Sequence, residues 1–410
     1  MTAGDASPQR QFTFDYQPGE LRCGRGCVAD LGDTLADHDL DSALVVTGTN
    51  VGANREVMDP VEAGLGDRLA GVFDETTPEK YLATGLAATQ RVREEGIDAM
   101  VAVGSGSSLD VAKVASALGS NDDIDAAAEH TLETGSVPLG DDTIPTPVVA
   151  VPTTLAGADL SVLAGVSLSL DPANTPDEEI PGGGVSDGRL MPAALFYDLA
   201  LFETTPKGVL CASAMNGFDK AVECLYSPQA TPVTDGTATR ALSLMGSGFE
   251  TLPEEEMDED ALYESVAGVV LAQYGISTPD AYRASIIHAF GHGFSGYGIH
   301  QGTAHAILAP HVLHYLFEEV DGRRDLLARG LGVHDADVTD DELAEAVVDA
   351  VAGVRDDLGL PSRLRQIDGL EREDFPGIAD IVAEDSFLDN APEGVDPDTD
   401  DVEAVLDDAW

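Results

Sequence analysis

Lysine is almost absent from this chain of 410 residues, which has it only at positions 80, 113, 207 and 220. Lysine and arginine together number 21 against 75 aspartates and glutamates, so the formal net charge is −54 at pH 7. Such a charge repels the phosphates of nucleic acids and anionic lipids, so neither is expected as a partner. The excess of acidic residues is typical of cytoplasmic proteins from salt-accumulating organisms. Salt at 1 M shortens the Debye length to about 3 Å, so the repulsion between the negative side chains is screened.

Cysteines and long apolar runs are also scarce. The four cysteines (Cys23, Cys27, Cys211 and Cys224) are too few for a disulfide scaffold and do not have the spacing of metal ligands. No signal peptide and no apolar run of about 18 residues is recognisable, so secretion and membrane insertion are not expected. Hydrophobic residues still make up 43% of the chain, enough for a core, and the length predicts two domains.

The hydrophobic pattern differs between the two parts of the chain. Short β-branched runs predict buried strands at 42–47, 97–103 and 147–151, with a first strand within 12–26 and helices between the strands. The segment 171–188 predicts a loop or hairpin. After Phe202 helical periodicity dominates, at 207–226, 234–250, 259–275, 279–294, 303–317, 323–330, 340–358, 373–385 and 399–408. We therefore predict an α/β domain with a parallel sheet at 1–189 and an all-helical domain at 190–410.

A glycine-rich turn follows the strand at 97–103. Its residues, Gly104-Ser105-Gly106-Ser107, lead into a helix that carries Asp110. Backbone N–H groups at a helix N-terminus can bind a phosphate, although this turn does not match G-x-G-x-x-G and Ser107 or Ser108 could simply cap the helix. Thr153 and Thr154 follow the next strand, where open α/β sheets bind ligands.

Six of the nine histidines lie between His288 and His314. His288 and His292 stand four residues apart and share one face of a predicted helix. Glycines interrupt that helix, and His300 and His305 follow on a second segment. Imidazoles on two elements could bind a metal ion or transfer protons to a substrate. His311 and His314 could equally be ordinary core or surface residues.

Several motifs together resemble the iron-containing alcohol dehydrogenase family, and within it the maleylacetate reductases. They are GSGSSLDVAK, PTTLAGADLS, the segment SAMN through AVE at 213–223, HAILAPHVLHY and the final VLDDAW. The resemblance implies a dehydroquinate synthase-like, group III alcohol dehydrogenase architecture with an α/β dinucleotide-binding domain. It also implies hydride transfer with NAD or NADP, a small-molecule substrate and a homodimer.

The same resemblance implies a set of residues that bind the cofactor. The family has an acid just after its first strand, which grips the ribose, but this chain has Gly48 there, so the choice between NAD and NADP stays open. The implied cofactor-binding residues are Gly104, Ser105, Gly106, Ser107, Asp110, Thr153, Thr154 and Leu155.

The family's metal site is the main departure. Iron-dependent members use an aspartate and a histidine four apart and two later histidines; the matching residues here are Asn216, Lys220, His288 and Gln301. Maleylacetate reductases, which work without metal, share the asparagine but keep a histidine where this chain has Lys220. A protonated lysine has no lone pair for a cation, so we predict that no metal binds.

The substitutions suggest new roles for the residues at that position. Lys220 is predicted to replace the charge of the metal, although it could instead form only a salt bridge to Asp219 or Glu223. His292 is the predicted proton donor and His288 a second catalytic residue. The predicted substrate-binding residues are Asn216, Gln301 and His305.

The sequence therefore favours a metal-independent, NAD(P)H-dependent reductase of a small oxo-acid. Two alternatives stay open at this point. One is a metal-dependent alcohol or aldehyde dehydrogenase with an unforeseen ligand set such as His288, His292 and His300. The other is a descendant of the fold that has lost redox chemistry and serves as a binding or lyase-like protein.

Overall fold

The computed structural model describes residues 12–141, 143–175, 180–278 and 281–410, which form two compact units. Among the described residues, the α/β unit comprises 16–154 and 158–205, and the helical unit comprises 12–15, 155–157 and 206–410. The units change over between Thr205 and Pro206, beyond the boundary predicted after residue 189, because strand Ala194–Tyr197 belongs to the sheet. The assignment of separate functional domains stays a prediction.

The α/β unit is built on a six-stranded sheet whose five strand pairs are all parallel, as the pattern of short apolar runs predicted. The strand order is β1-β8-β5-β4-β2-β3. The central strands β4 and β5 are buried along their whole length, which explains why their sequences are continuous runs of small and β-branched residues. The strands are β1 Glu20–Cys23, β2 Ala43–Gly48, β3 Leu69–Thr76, β4 Ala99–Gly104, β5 Val148–Pro152 and β8 Ala194–Tyr197.

Helices and one hairpin complete this unit. Strands β6 Leu163–Ser167 and β7 Gly182–Ser186 pair antiparallel, so the hairpin alternative for 171–188 holds for the described part, while residues 176–179 lie outside it. The helices are α1 Leu31–Asp37, α2 Thr49–Ala53, α3 Arg55–Leu65, α4 Leu82–Glu95, α5 Gly106–Gly119, α6 Ile124–Thr134 and α7 Leu199–Glu203.

The helical unit follows the predicted periodicity closely. Its helices are α8 Lys207–Tyr226, α9 Pro232–Gly248, α10 Glu259–Gln273, α11 Ile286–His292, α12 Gln301–Glu319, α13 Arg324–Leu331, α14 Asp340–Asp357, α15 Phe375–Ala383 and α16 Thr399–Ala409. No helix in the described ranges is long and apolar enough to cross a membrane. The predicted α/β class with a helical second half is confirmed.

One predicted helix, 279–294, is wrong at its start. Residues 279 and 280 lie outside the described part, and Ala281–Tyr282 form a short strand, β10, that pairs with β9, Ser277–Thr278. The Arg283 guanidinium donates hydrogen bonds to the carbonyl oxygens of Gln229 and Gly275 and holds this segment in place. Helix α11 therefore begins only at Ile286 and is two turns long.

Helices α8 and α12 approach each other closely at Gly302. A Cβ atom at this position would lie 1.7 Å from the Ala212 carbonyl oxygen, far inside contact distance. The neighbour is backbone and cannot turn aside as a flexible side chain could. Glycine is thus required where the first turn of α12 packs on α8.

Gly302→Ala should lower the free energy of unfolding by roughly 1–3 kcal/mol, because the two helices must separate to admit a methyl group. The matched control is Gly353→Ala in α14, where a Cβ meets nothing within 4 Å. That control should be neutral or stabilising by about 0.5–1 kcal/mol. Urea unfolding of both variants measures the difference, and equal stabilities would contradict the packing described.

Candidate active site

Four polar side chains form one buried row on α8. Asn216, Asp219, Lys220 and Glu223 follow each other at helical spacing and are only 7%, 0%, 6% and 0% exposed. Burying several polar side chains side by side costs free energy unless each one forms hydrogen bonds or ion pairs that replace its lost contacts with water. The row therefore marks the polar centre of the helical unit.

The Lys220 ammonium is at the middle of this centre. Its Nζ donates hydrogen bonds to Asn216 Oδ1 at 2.7 Å and to the Ala156 carbonyl oxygen at 3.0 Å, and lies 3.2 Å from His288 Nε2. Three acceptors match the three N–H donors of an ammonium. Asn216 Nδ2 in turn donates to Gln301 Oε1 at 3.3 Å. The four residues that match the family's metal positions thus form one hydrogen-bonded network, in which Lys220 contacts Asn216 and His288 and Asn216 contacts Gln301.

His288 on α11 joins Lys220 to a buried carboxylate. Its Nδ1 lies 2.5 Å from Glu223 Oε2, so the Nδ1 proton points to Glu223 and the Nε2 lone pair to Lys220. Burial, with the Lys220 charge second, lowers the pKa of His288 well below its ordinary value. The imidazole is therefore neutral, and its tautomer is set by its two neighbours.

Glu223 is well provided with donors. Its Oε1 accepts the Ile287 and His288 backbone N–H groups and the Tyr226 hydroxyl, at 2.8, 3.2 and 3.1 Å. Burial raises the pKa of Glu223, and these hydrogen bonds oppose the rise by stabilising the anion. Glu223 thereby satisfies N–H groups at the start of α11 and orients His288 at the same time.

A second acid–histidine pair, Asp219 with His305 of α12, lies beside the first. Asp219 Oδ2 is 3.0 Å from His305 Nδ1, but their alignment is poor, and neither side chain has a satisfactory hydrogen bond among the described residues. Burial raises the pKa of Asp219 well above its usual value and lowers the pKa of His305 to about 3. Both directions favour a neutral acid beside a neutral imidazole.

His305 is also packed tightly against its surroundings. Its ring centroid lies 4.7 Å from that of His288, and its Nε2 approaches Gly291 so closely that a Cβ there would be only 2.2 Å away. The side chain is 0% exposed. The predicted binding of substrate by His305 stays a prediction, and a side chain with no exposed surface does not favour it.

The remaining histidines of the cluster have separate environments. His292, the last residue of α11, has Nδ1 at 2.8 Å from Asp385 Oδ2. His300 is exposed and precedes α12, where its Nδ1 accepts the Gly302 N–H at 3.2 Å. His314 is exposed and His311 half-buried. The set His288, His292 and His300 therefore does not converge, and the described residues contain no group of three or more acidic, histidine or cysteine ligands for a metal.

In the α/β unit the predicted strand, turn and helix are present. Strand β4 ends at Gly104, whose φ of 125° suits glycine, and α5 begins at Gly106. Ser105 at the N-cap makes no side-chain capping hydrogen bond, and the Ser108 hydroxyl contacts Thr76 instead of the helix start. Ser108 therefore does not cap the N-terminus of α5.

Other predicted cofactor-binding residues have varied positions. The Thr153 N–H donates to the Gly104 carbonyl oxygen at 2.9 Å, which joins the two strand ends. Asp110 lies a turn inside α5 and forms an ion pair with Lys80 at 2.9 Å. Leu155 belongs to the helical unit, is 1% exposed, and its N–H donates to Ser213 Oγ.

Sequence reasoning missed three carboxylates that hold the histidines. Glu223 and Asp219 had been considered only as salt-bridge partners of Lys220, although their spacing from Lys220 along α8 placed them on its buried face. In the structure they lie beside His288 and His305 instead. Asp385 gave no sequence signal, because 93 residues separate it from His292.

The α/β unit and the helical unit have the group III alcohol dehydrogenase architecture, that of a class of oxidoreductases. The chain belongs to the iron-containing alcohol dehydrogenase family. The model described as "Iron-containing alcohol dehydrogenase" matches residues 18–176 and that described as "Fe-containing alcohol dehydrogenase family, C-terminal" matches residues 210–410. The family predicted from the sequence motifs is confirmed.

Individual relatives cover nearly the whole chain. The lactaldehyde reductase of Escherichia coli strain K12 is 25% identical over 370 residues, 88% of this chain and 91% of the relative. A maleylacetate reductase of Pseudomonas aeruginosa is 25% identical over 405 residues, 97% of each. The structure of sulfoacetaldehyde reductase from Bifidobacterium kashiwanohense in complex with NAD+ has a TM-score of 0.82 at 20% identity, covering 97% of this chain and 99% of that one.

The two buried acids of α8 should respond differently to the same isosteric change. Glu223→Gln should lower the free energy of unfolding by roughly 1–3 kcal/mol, because an amide N–H2 group would then face the His288 Nδ1–H or force that ring to change tautomer. Asp219→Asn should cost less than about 1 kcal/mol, because burial already favours the neutral carboxyl. Urea unfolding at pH 7 tests this, and a larger loss for Asp219→Asn would refute the protonation states.

Proposed function

We propose that this protein is an NAD(P)H-dependent reductase of a small oxo-acid, and that the Lys220 ammonium replaces the divalent ion of the family. The observation that carries the proposal is the position of Lys220 Nζ, bonded to Asn216 Oδ1 and 3.2 Å from His288 Nε2. Two residues that match metal ligands in sequence are here neighbours of one ammonium.

The family name implies iron, but the residues present do not fit it. Asn216 and Gln301 offer neutral amides, His288 offers one imidazole nitrogen, and Lys220 offers a positive charge where a cation would bind. Ligands must supply lone pairs, and a protonated lysine has none. The proposed reaction therefore includes no metal-dependent step.

Charge balance explains why this exchange can preserve chemistry. An aspartate with a divalent cation carries a net charge of +1, and Asn216 with the Lys220 ammonium carries the same. Positive charge in a buried site stabilises the negative charge that develops on a carbonyl oxygen during reduction. Lys220 can supply it without a metal.

A substrate oxygen gains a hydrogen bond from Lys220 only by replacing one of its present acceptors. The longest of the three contacts is that to His288 Nε2, at 3.2 Å against 2.7 Å and 3.0 Å for the others. This contact is the least costly to exchange, because His288 also keeps its bond to Glu223. A carbonyl or carboxylate oxygen then binds Lys220 with Asn216 as the remaining side-chain partner.

The glycine-rich turn of the α/β unit fits a dinucleotide. The N-terminus of α5 has no side-chain cap at Ser105, and its first N–H groups suit a diphosphate. When bound, a reduced nicotinamide supplies the hydride for the carbonyl carbon. The similar structure of sulfoacetaldehyde reductase contains NAD+, which supports NAD as the cofactor. At Gly48, however, this chain has no acidic side chain to repel the 2′-phosphate of NADP. We propose that either cofactor is accepted.

The substrate class is proposed from the relatives and from the charge of the site. The names of two relatives are maleylacetate reductase and lactaldehyde reductase, both of which describe reduction of a small carbonyl compound. A buried ammonium favours an anionic substrate over a neutral aldehyde. We therefore propose maleylacetate-like oxo-acids as the first class to assay.

Lys220→Met should lower kcat with maleylacetate by roughly 10²–10³-fold, the loss typical for removal of a group that stabilises a developing oxyanion. Affinity for NADH or NADPH, measured by nicotinamide fluorescence, should stay nearly the same. Lys207→Met, at the start of the same helix, is the matched control and should retain full activity. A Lys220→Met enzyme as fast as this control would refute the role of Lys220.

Restoring the family's ligands should create a metal site. The triple variant Asn216→Asp, Lys220→His and Gln301→His offers a carboxylate and three imidazoles together with His288. Calorimetric titration with Zn²⁺ should show one ion bound per chain of the variant and none for the native chain. One ion bound by the native chain would contradict the proposal.

A further inference from the structure

The side chains of His292 and Asp385 form an acid–histidine couple that differs from the two buried ones. Asp385 Oδ2 lies 2.8 Å from His292 Nδ1. The side chains are 36% and 14% exposed, whereas His288 and Glu223 are 4% and 0% exposed. Of these two couples, that of His292 is the one that can exchange protons with solvent.

The Asp385 carboxylate is also held in place by a hydrogen bond that does not involve His292. Asp385 Oδ1 accepts the Phe387 N–H at 2.8 Å and so caps the short 3-10 helix Ser386–Asn390. That leaves Oδ2 directed at His292. The Asn390 side chain also donates to the Ala284 carbonyl oxygen just before α11, which ties the 3-10 helix to the chain that carries the histidine.

An aromatic ring packs against the imidazole as well. The Phe387 ring centroid lies 4.9 Å from that of His292 with the two planes tilted, and Phe387 itself packs on Tyr282 at 5.3 Å. A side chain held by a carboxylate at one nitrogen and packed against an aromatic ring has few rotamers left. Its Nε2 direction is therefore defined.

An ionised carboxylate accepts a hydrogen bond and cannot donate one, so the proton on the near nitrogen belongs to His292 Nδ1. Nε2 is then the nitrogen that can give up or take a proton. In His288 the corresponding Nε2 already faces Lys220. The two histidines of α11 thus differ in the environment of Nε2.

We propose that Asp385 is the positioning residue of His292, and that this couple delivers the proton that accompanies the hydride. The inference rests on the proposed reductase function. The carbonyl carbon gains a C–H bond from the hydride of the reduced nicotinamide, which is thereby oxidised. As the C=O π bond breaks, the carbonyl oxygen takes the proton of His292 Nε2–H. The imidazolium becomes a neutral imidazole, which solvent reprotonates, so charge and protons balance.

Several ionisable groups surround the couple. His288 lies on the same helix, His305 on α12 and Lys220 on α8. Burial is the main cause of the lowered pKa values of His288 and His305, and His292 contributes to both shifts. On the side of α15, Ile378 and Val382 pack near Gly293 and are apolar. Asp385 is the carboxylate that contacts His292 Nδ1.

A purely structural role for Asp385, as the cap of the 3-10 helix, is the alternative to exclude. The test compares Asp385→Asn with Asp389→Asn, an exposed acid of the same 3-10 helix. Both changes remove one negative charge, but only the first removes the partner of His292. His292→Asn and the double variant His292→Asn with Asp385→Asn complete a cycle.

With maleylacetate and NADH, Asp385→Asn should lower kcat by about 10- to 100-fold and leave the KM for NADH within about twofold. The double variant should be no slower than His292→Asn. Asp385→Glu should recover part of the rate.

Two results would overturn the inference. One is an Asp385→Asn enzyme with the same kcat as Asp389→Asn; the other is a double variant whose losses multiply. Failure of the native enzyme to reduce any oxo-acid would instead refute the proposed function. Long-range proton–nitrogen NMR tests the couple without turnover: native His292 should be the Nδ1–H tautomer or the imidazolium, and an Nε2–H tautomer would refute the positioning role.

Discussion

The helical unit depends on one buried ammonium. Lys220 Nζ links α8 to α11 through His288 and to the segment at Ala156, and Asn216 extends the network to α12 through Gln301. A buried charge is tolerated only when polar groups replace its water shell, and here three acceptors do so. In the proposed function the same ammonium takes the place of the family's metal ion, so the contacts that hold α8, α11 and α12 together would also serve the chemistry.

Burial separates the histidines into different roles. His288 and His305 are both enclosed, with lowered pKa values, and each lies beside an acid of α8. His292 ends α11 half-exposed beside Asp385. The enclosed histidines stay neutral and shape the site, whereas the half-exposed one can exchange protons with water. The histidines that are clustered in the sequence thus differ in solvent exposure in the structure.

The sequence predicted the architecture well because its signals are local. Continuous β-branched runs identify buried parallel strands, and helical periodicity locates α8 to α16 within a few residues. The start of α11 was missed because Arg283, through bonds to distant carbonyl groups, holds the preceding residues extended. Convergence of Asn216, Lys220, His288 and Gln301 was predictable only through family resemblance. The partners Glu223 and Asp385 required the structure, since contacts across 65 and 93 residues leave no local pattern.

We propose above that the native protein reduces its substrate without a metal ion. The most direct measurement is the rate of oxo-acid reduction by the native chain after dialysis against EDTA, and again after one equivalent of Fe²⁺ or Zn²⁺ is added back. We expect the same rate in both cases, with no ion retained in stoichiometric amount. Loss of activity on dialysis, restored by one bound ion, would contradict it.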